Sequence, residues 1–142
     1  PSFRLRSAIH PATYTDIYAR SLYAAEDGDM NKLEQKLIVE LTALPNVRWW
    51  HRNIVKQDFA INGFIKHYPD ILIMTQSGKI ILAETKGDHL KNDNSREKIA
   101  LGQAWRTAAG KDYRYYMVFE NDENLLSGAV SMSQFIDTIK AL

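Results

Sequence analysis

Apolar residues recur at helical spacing from Met30 through Leu33, Leu37, Ile38 and Leu41 to Leu44, which predicts an amphipathic helix over that span. Asp27-Gly28-Asp29 offers a stop ahead of it, with Asp29 as N-cap, and Pro45-Asn46 ends it. Upstream, residues 1–29 are mixed, and the loose spacing of Tyr14, Tyr18 and Tyr23 fits a short surface helix in a peripheral extension. Downstream the pattern changes to strands. Val47 to Ile54 is strand-like, and Asp58-Phe59-Ala60-Ile61 runs into Asn62-Gly63, a two-residue hairpin signal. Phe64 to Thr75 reads as a strand interrupted at Pro69, and Gln76-Ser77-Gly78 turns the chain into Lys79 to Lys86. A polar loop covers Gly87 to Asp93. Asn94 with Glu97 resembles a capping box for a helix to about Ala109, stopped by Gly110. Tyr113 to Phe119 is a further strand, and Ser131 to Leu142 a closing helix. This order predicts one α/β domain over residues 1–142, a mixed sheet layered with helices.

Bulk properties narrow the function little. Apolar residues make up 45% and charged residues 25% of the 142, the balance of an ordinary globular domain. A net charge of +1 and a pI near 8.4 fall short of the strong basic footprint of many nucleic-acid binders. The chain has no cysteine, which excludes disulfides, thiolate zinc sites and cysteine nucleophiles. A cytoplasmic location is the expectation. No apolar run approaches the roughly 18 residues of a membrane helix. There is no Gly-x-x-x-x-Gly-Lys-Ser/Thr phosphate loop and no Gly-x-Ser-x-Gly elbow. The chain opens on Pro1 rather than Met, and the expectation is a fragment of a longer protein.

Three charges interrupt apolar strands. Asp70 opens Ile71-Leu72-Ile73-Met74, while Glu84 and Lys86 close Ile80-Ile81-Leu82-Ala83. A buried charge is costly unless paired or metal-bound. Strand alternation puts Glu84 and Lys86 on one face. Asp70 joins them if the hairpin has the right parity. A two-residue Ser77-Gly78 loop turns Asp70 away from Glu84, whereas a three-residue Gln76-Ser77-Gly78 loop sets it directly across. Gly78 stands where the three-residue loop wants a left-handed glycine; longer loops are also compatible. Directly opposed, the two carboxylates lie about 5 Å apart at Cβ, a spacing suited to a shared cation. Two carboxylates with backbone oxygens, such as the Thr85 carbonyl, suit Mg2+, with Mn2+ as a substitute. Such a cation can polarise a phosphate and acidify a bound water, and Lys86 would orient that water or stabilise the developing charge.

Tyr68-Pro69-Asp70 followed by Ala83-Glu84-Thr85-Lys86-Gly87 resembles the PD-(D/E)xK nuclease signature. With Val47-Arg48-Trp49-Trp50-His51-Arg52-Asn53 ahead of it, the surroundings resemble the carboxy-terminal endonuclease domain of type III restriction enzyme Res subunits. The resemblance covers roughly Met30 to Phe119. It implies a restriction-endonuclease-like core and Mg2+-dependent cleavage of double-stranded DNA by Asp70, Glu84 and Lys86. It further implies a parent assembly with a helicase-like motor, through which alone ATP would enter, and a methyltransferase subunit. A further acidic residue is usual on the first helix of such nucleases. At about 100° per residue, Glu34 falls roughly 40° from the centre of the apolar face and Glu40 about 75°, so Glu34 is the better metal-facing candidate. Related nucleases also carry a glutamine or basic residue on the helix after Glu-Thr-Lys-Gly. Gln103, on a stripe with Arg96 and Ile99, is the accessory candidate here, although Thr107 replaces the tyrosine of the commoner Gln-x-x-x-Tyr pattern.

Lys91, Arg96, Lys98 and Arg106 are available for phosphate contacts, against the simpler reading of a solvated helix face. His10, His51, His67 and His89 match no zinc spacing, though His67 and His89 flank the motifs and could line a cleft. Trp49 and Trp50 must point to opposite faces of their strand. Two readings compete with the nuclease: a nuclease-like module that only binds DNA or assembles, and a structural salt-bridge cluster.

Overall fold

The computed structural model describes Leu5, residues 19–23 and residues 30–142. The expected helix around Tyr14 and Tyr18 and the expected cap at Asp29 lie outside the described residues. Helix α1 (Lys32–Thr42) starts at Asn31, whose side chain accepts the Glu34 N–H. Strands β1 (Val47–Arg52), β2 (Ile61–Asn62), β3 (Lys66–His67), β4 (Ile71–Thr75) and β5 (Ile80–Lys86) follow, then α2 (Asp93–Ala109), β6 (Tyr113–Phe119), β7 (Val130–Ser131) and α3 (Met132–Lys140). The five-stranded sheet runs β1-β4-β5-β6-β7. Its β1–β4 and β4–β5 pairs are antiparallel, and its β5–β6 and β6–β7 pairs parallel. The mixed sheet follows from the connections, because a three-residue turn joins antiparallel neighbours whereas the parallel step from β5 to β6 needs the crossover helix α2.

Strand alternation divides the core into two layers. Ile71, Ile73, Ile81 and Ala83 face α1 and α3, packing with Leu37, Ile38, Leu41 and Phe135. Leu72, Leu82, Tyr115 and Met117 face α2, with Ile99 and Leu101. Trp50 is fully buried in the first layer, while Trp49 packs half-buried against the second. Glycine sets the closeness of α2: a Cβ on Gly102 would meet the Tyr115 ring at 2.3 Å.

Two local expectations need correction. Asn62 pairs with Lys66 in a separate two-stranded ribbon, so the hairpin turn is Gly63-Phe64-Ile65 rather than Asn62-Gly63. Gly63 serves packing instead of turn geometry, since a Cβ there would lie 2.4 Å from Leu101 Cδ1. Helix α2 begins earlier than an Asn94 cap requires: Asn92 accepts the Ser95 N–H at 3.0 Å, leaving Asn94 and Glu97 inside the helix. The capping box lies instead on α3, between Ser131 and Gln134.

Candidate active site

The β4–β5 register pairs Ile71 with Ala83 and Met74 with Ile80, so the connecting turn is the three-residue Gln76-Ser77-Gly78, with Gly78 left-handed at φ +88°. Continued one residue beyond Ile71–Ala83, that register brings Asp70 opposite Glu84, on the α2 side of the sheet with Lys86. Asp70 itself stands just before β4, where Pro69 interrupts the extended chain. Buried Asn53 clamps this corner. Its N–H donates to the Asp70 carbonyl at 2.8 Å, and its side-chain amide donates to the carbonyls of Pro69 (2.8 Å) and Phe59 (2.7 Å). Asp70 Oδ2 accepts from the Thr85 N–H at 2.8 Å and from Thr85 Oγ1 at 3.0 Å. An extended residue presents its N–H and C=O to the same neighbour, so the Thr85 carbonyl leaves β5 on the Asp70 side.

Glu84 is the electrostatic centre of the site. It is 4% exposed, and its Oε2 lies 3.6 Å from Lys86 Nζ, 3.7 Å from Lys98 Nζ and 3.8 Å from His67 Nδ1. Burial raises its pKa well above the usual carboxylate value, the charge of Asp70 and a hydrogen bond shared with that carboxyl raise it further, and the two lysines pull it down. Burial lowers the pKa of Lys98, and adjacent Lys86 adds to that, while Glu84 and Asp70 oppose it. His67 is held near pKa 3 by burial and then by Lys98 and Lys86, so its ring is neutral. Its Nε2 hydrogen-bonds the Tyr115 hydroxyl at 2.8 Å, and burial raises the pKa of that phenol. A neutral imidazole thus supports the carboxylate from beneath.

A cavity of about 740 Å³ opens over these groups, lined by Asp70, Glu84, Thr85, Lys86, His67 and Lys98 and also reached by Glu34, Lys66, Tyr68 and His89. Glu34 is 6% exposed and faces this cavity, whereas Glu40 is exposed. Asn31 Nδ2 donates to Glu34 Oε1 at 3.1 Å, and Arg52 Nε lies 3.4 Å from Oε2. Among the described residues no three His, Cys, Asp or Glu side chains converge as a metal cage, so Glu34 shares the cavity without completing a ligand trio with Asp70 and Glu84. Comparison with protein-family models, curated proteins and solved structures found no match.

The other sequence candidates separate. Lys98 reaches the carboxylate cluster itself. Lys91 instead lies 3.6 Å from Asp88, donates to the Glu123 carbonyl and covers the Phe119 ring, and Arg96 pairs with Asp93 at 2.7 Å on the surface. Neither lines the cavity. Gln103 borders a different groove with Arg106, Thr107 and Arg114, because its turn of α2 lies beyond the site. Sequence reasoning missed Asn53, and it gave Lys98 only a general phosphate role. No sequence signal separated Lys98 from the other basic residues of α2; the packing of that helix on the sheet brings it to Glu84.

The donors fit a hard divalent cation. Asp70 and Glu84 border one cavity with their charges in opposition, and two carboxylates with a backbone carbonyl are a set Mg2+ accepts. They do not fit the three-ligand nitrogen or sulfur pattern of catalytic zinc.

Proposed function

We propose that this chain is a Mg2+-dependent endonuclease domain of PD-(D/E)xK type that hydrolyses phosphodiester bonds of double-stranded DNA. The observation carrying the reading is the meeting of Asp70, Glu84 and Lys86 over one cavity, with Lys98 beside them. Asp70, Glu84 and the Thr85 carbonyl would hold the cation, which supplies charge neutralisation at a phosphate and an acidified water. Lys86 and Lys98 now share the Glu84 carboxylate. With Glu84 engaged as a cation ligand, both ammoniums would be available to bind phosphate oxygens and offset charge developing there. Thr85 keeps Asp70 in place through two hydrogen bonds, and Asn53 keeps the backbone beneath it. His67 excludes water from the inner side of Glu84.

The cleavage module of a type III restriction enzyme is the specific form we propose. Its support is the resemblance of Tyr68-Pro69-Asp70 and Ala83-Glu84-Thr85-Lys86-Gly87, with their flanks, to Res endonuclease domains. The helicase-like motor and the methyltransferase subunit are partners under that proposal. The structural alternative draws on the ion pairs of Glu84 with Lys86 and Lys98, and cation binding separates the two readings. Calorimetry with Mn2+ is expected to show one site per chain, weakened at least tenfold in Asp70→Ala. An intact protein that takes up no Mn2+ would leave the salt-bridge cluster as the better account.

A further inference from the structure

Phe64 is 71% exposed, the most exposed large apolar side chain among the described residues. It stands at the apex of the β2–β3 hairpin, in a turn closed by the Asn62–Lys66 pair and by a Gly63 N–H to Ile65 carbonyl bond of 3.0 Å. The hairpin packs onto α2: Ile61 is buried in the α2-side core, and a Cβ on Gly63 would lie 2.4 Å from Leu101 Cδ1. Its apex leaves an aromatic ring in solvent.

The chain running away from Phe64 leads into the cavity. Lys66 and Tyr68 both line it, and Lys66 Nζ lies 5.5 Å from the centre of the Tyr68 ring. Asp70 follows two residues later, so Phe64 is at most about 20 Å from the catalytic carboxylate along an extended chain. Val55, 59% exposed, borders the same cavity. An isolated exposed apolar side chain needs no explanation. An aromatic at a hairpin apex, followed by a cation and a second aromatic that run to the proposed phosphodiesterase site, matches the composition of surfaces that hold unpaired nucleotides: rings for bases, cations for phosphates.

We infer that the β2–β3 hairpin is a DNA-contacting element in which Phe64 stacks on a base turned out of the duplex beside the bond to be cut and Lys66 contacts the adjoining phosphate. The inference rests on the nuclease reading for the identity of the polymer. DNA is favoured over a protein partner because exposed Lys66, which is in no ion pair among the described residues, stands between Phe64 and the proposed phosphodiester site, where Lys86 and Lys98 offset the carboxylates Glu84 and Asp70.

The test uses the whole chain carrying Asp70→Asn, to bind without cutting, and a duplex with 2-aminopurine placed along the site. Phe64→Ala is expected to weaken binding about tenfold and to abolish the binding-induced change in fluorescence at one 2-aminopurine position, with Phe64→Trp restoring both. Lys66→Gln is expected to lower the slope of log affinity against log salt by about 0.9 and to leave that fluorescence change in place. Unchanged affinity and fluorescence response in Phe64→Ala would overturn the inference. If the otherwise unaltered chain still nicks DNA with Phe64→Ala, the nuclease reading survives that loss. If the parent neither binds nor nicks DNA, both fall, and the exposed apex becomes a contact for protein.

Discussion

Glu84 occupies a place where a carboxylate is costly, shielded from water and facing a second carboxylate. Its folded pKa lies above its unfolded one because of burial and then Asp70. The native state therefore binds the proton more tightly. The resulting stabilisation is fully present below the ordinary glutamate value of 4.5 and is lost as pH rises through the raised folded value. Without divalent cation, Glu84→Gln is expected to melt at or above the parent temperature at about pH 8, with the advantage gone at about pH 4. Melting below the parent across that whole range would mean that the lysine pairs outweigh burial and repulsion. At this scale the sequence was informative wherever a charge broke an apolar run, as at Asp70, Glu84 and Lys86. It was uninformative where packing alone decides. Lys98 has the sequence context of any helix-surface lysine, and buried Asn53 looks like any loop asparagine until its bonds to Pro69 and Phe59 are known.

Two glycines show how the elements hold the site. Gly78 adopts φ +88°, and a Cβ placed there would meet nothing within 4 Å, so Gly78→Ala should cost only backbone strain, about 1 kcal/mol. Gly102 has ordinary backbone freedom but abuts the Tyr115 ring. Gly102→Ala must displace that ring or the helix and so disturb the Tyr115–His67 hydrogen bond, and overpacking of this kind costs about 1–3 kcal/mol. Chemical denaturation of both variants is expected to rank Gly102→Ala as the more damaging, with impaired activity only there. The reverse ranking would show that the helix yields without moving Tyr115. Element types were largely legible from periodicity, and the parity of the β4–β5 hairpin was legible from Gly78. The β2–β3 turn was not, because Gly63 is needed for contact with Leu101 rather than for a two-residue turn. The start of α2 shifted for a similar reason: Asn92, not Asn94, is placed to accept the Ser95 N–H.

Over the whole molecule, the sheet is what turns separate motifs into a site. The antiparallel β4–β5 pair brings the carboxylates together, and the parallel step to β6 requires α2, which delivers Lys98 from above. Helix α1 contributes Glu34 to the cavity from the opposite layer. The α/β class and mixed sheet could be read from element order, but this three-sided convergence depends on packing between distant segments. Among the described residues no helix is long and apolar enough to cross a membrane.

The central claim is that these converging groups cut DNA with a divalent cation. Its most direct test is nicking of supercoiled plasmid by the purified chain in Mg2+ or Mn2+, beside Asp70→Ala and Lys86→Ala. The account predicts nicking by the parent that a chelator stops and that both variants lose by about two orders of magnitude or more. Nicking that persists undiminished in both variants would contradict it.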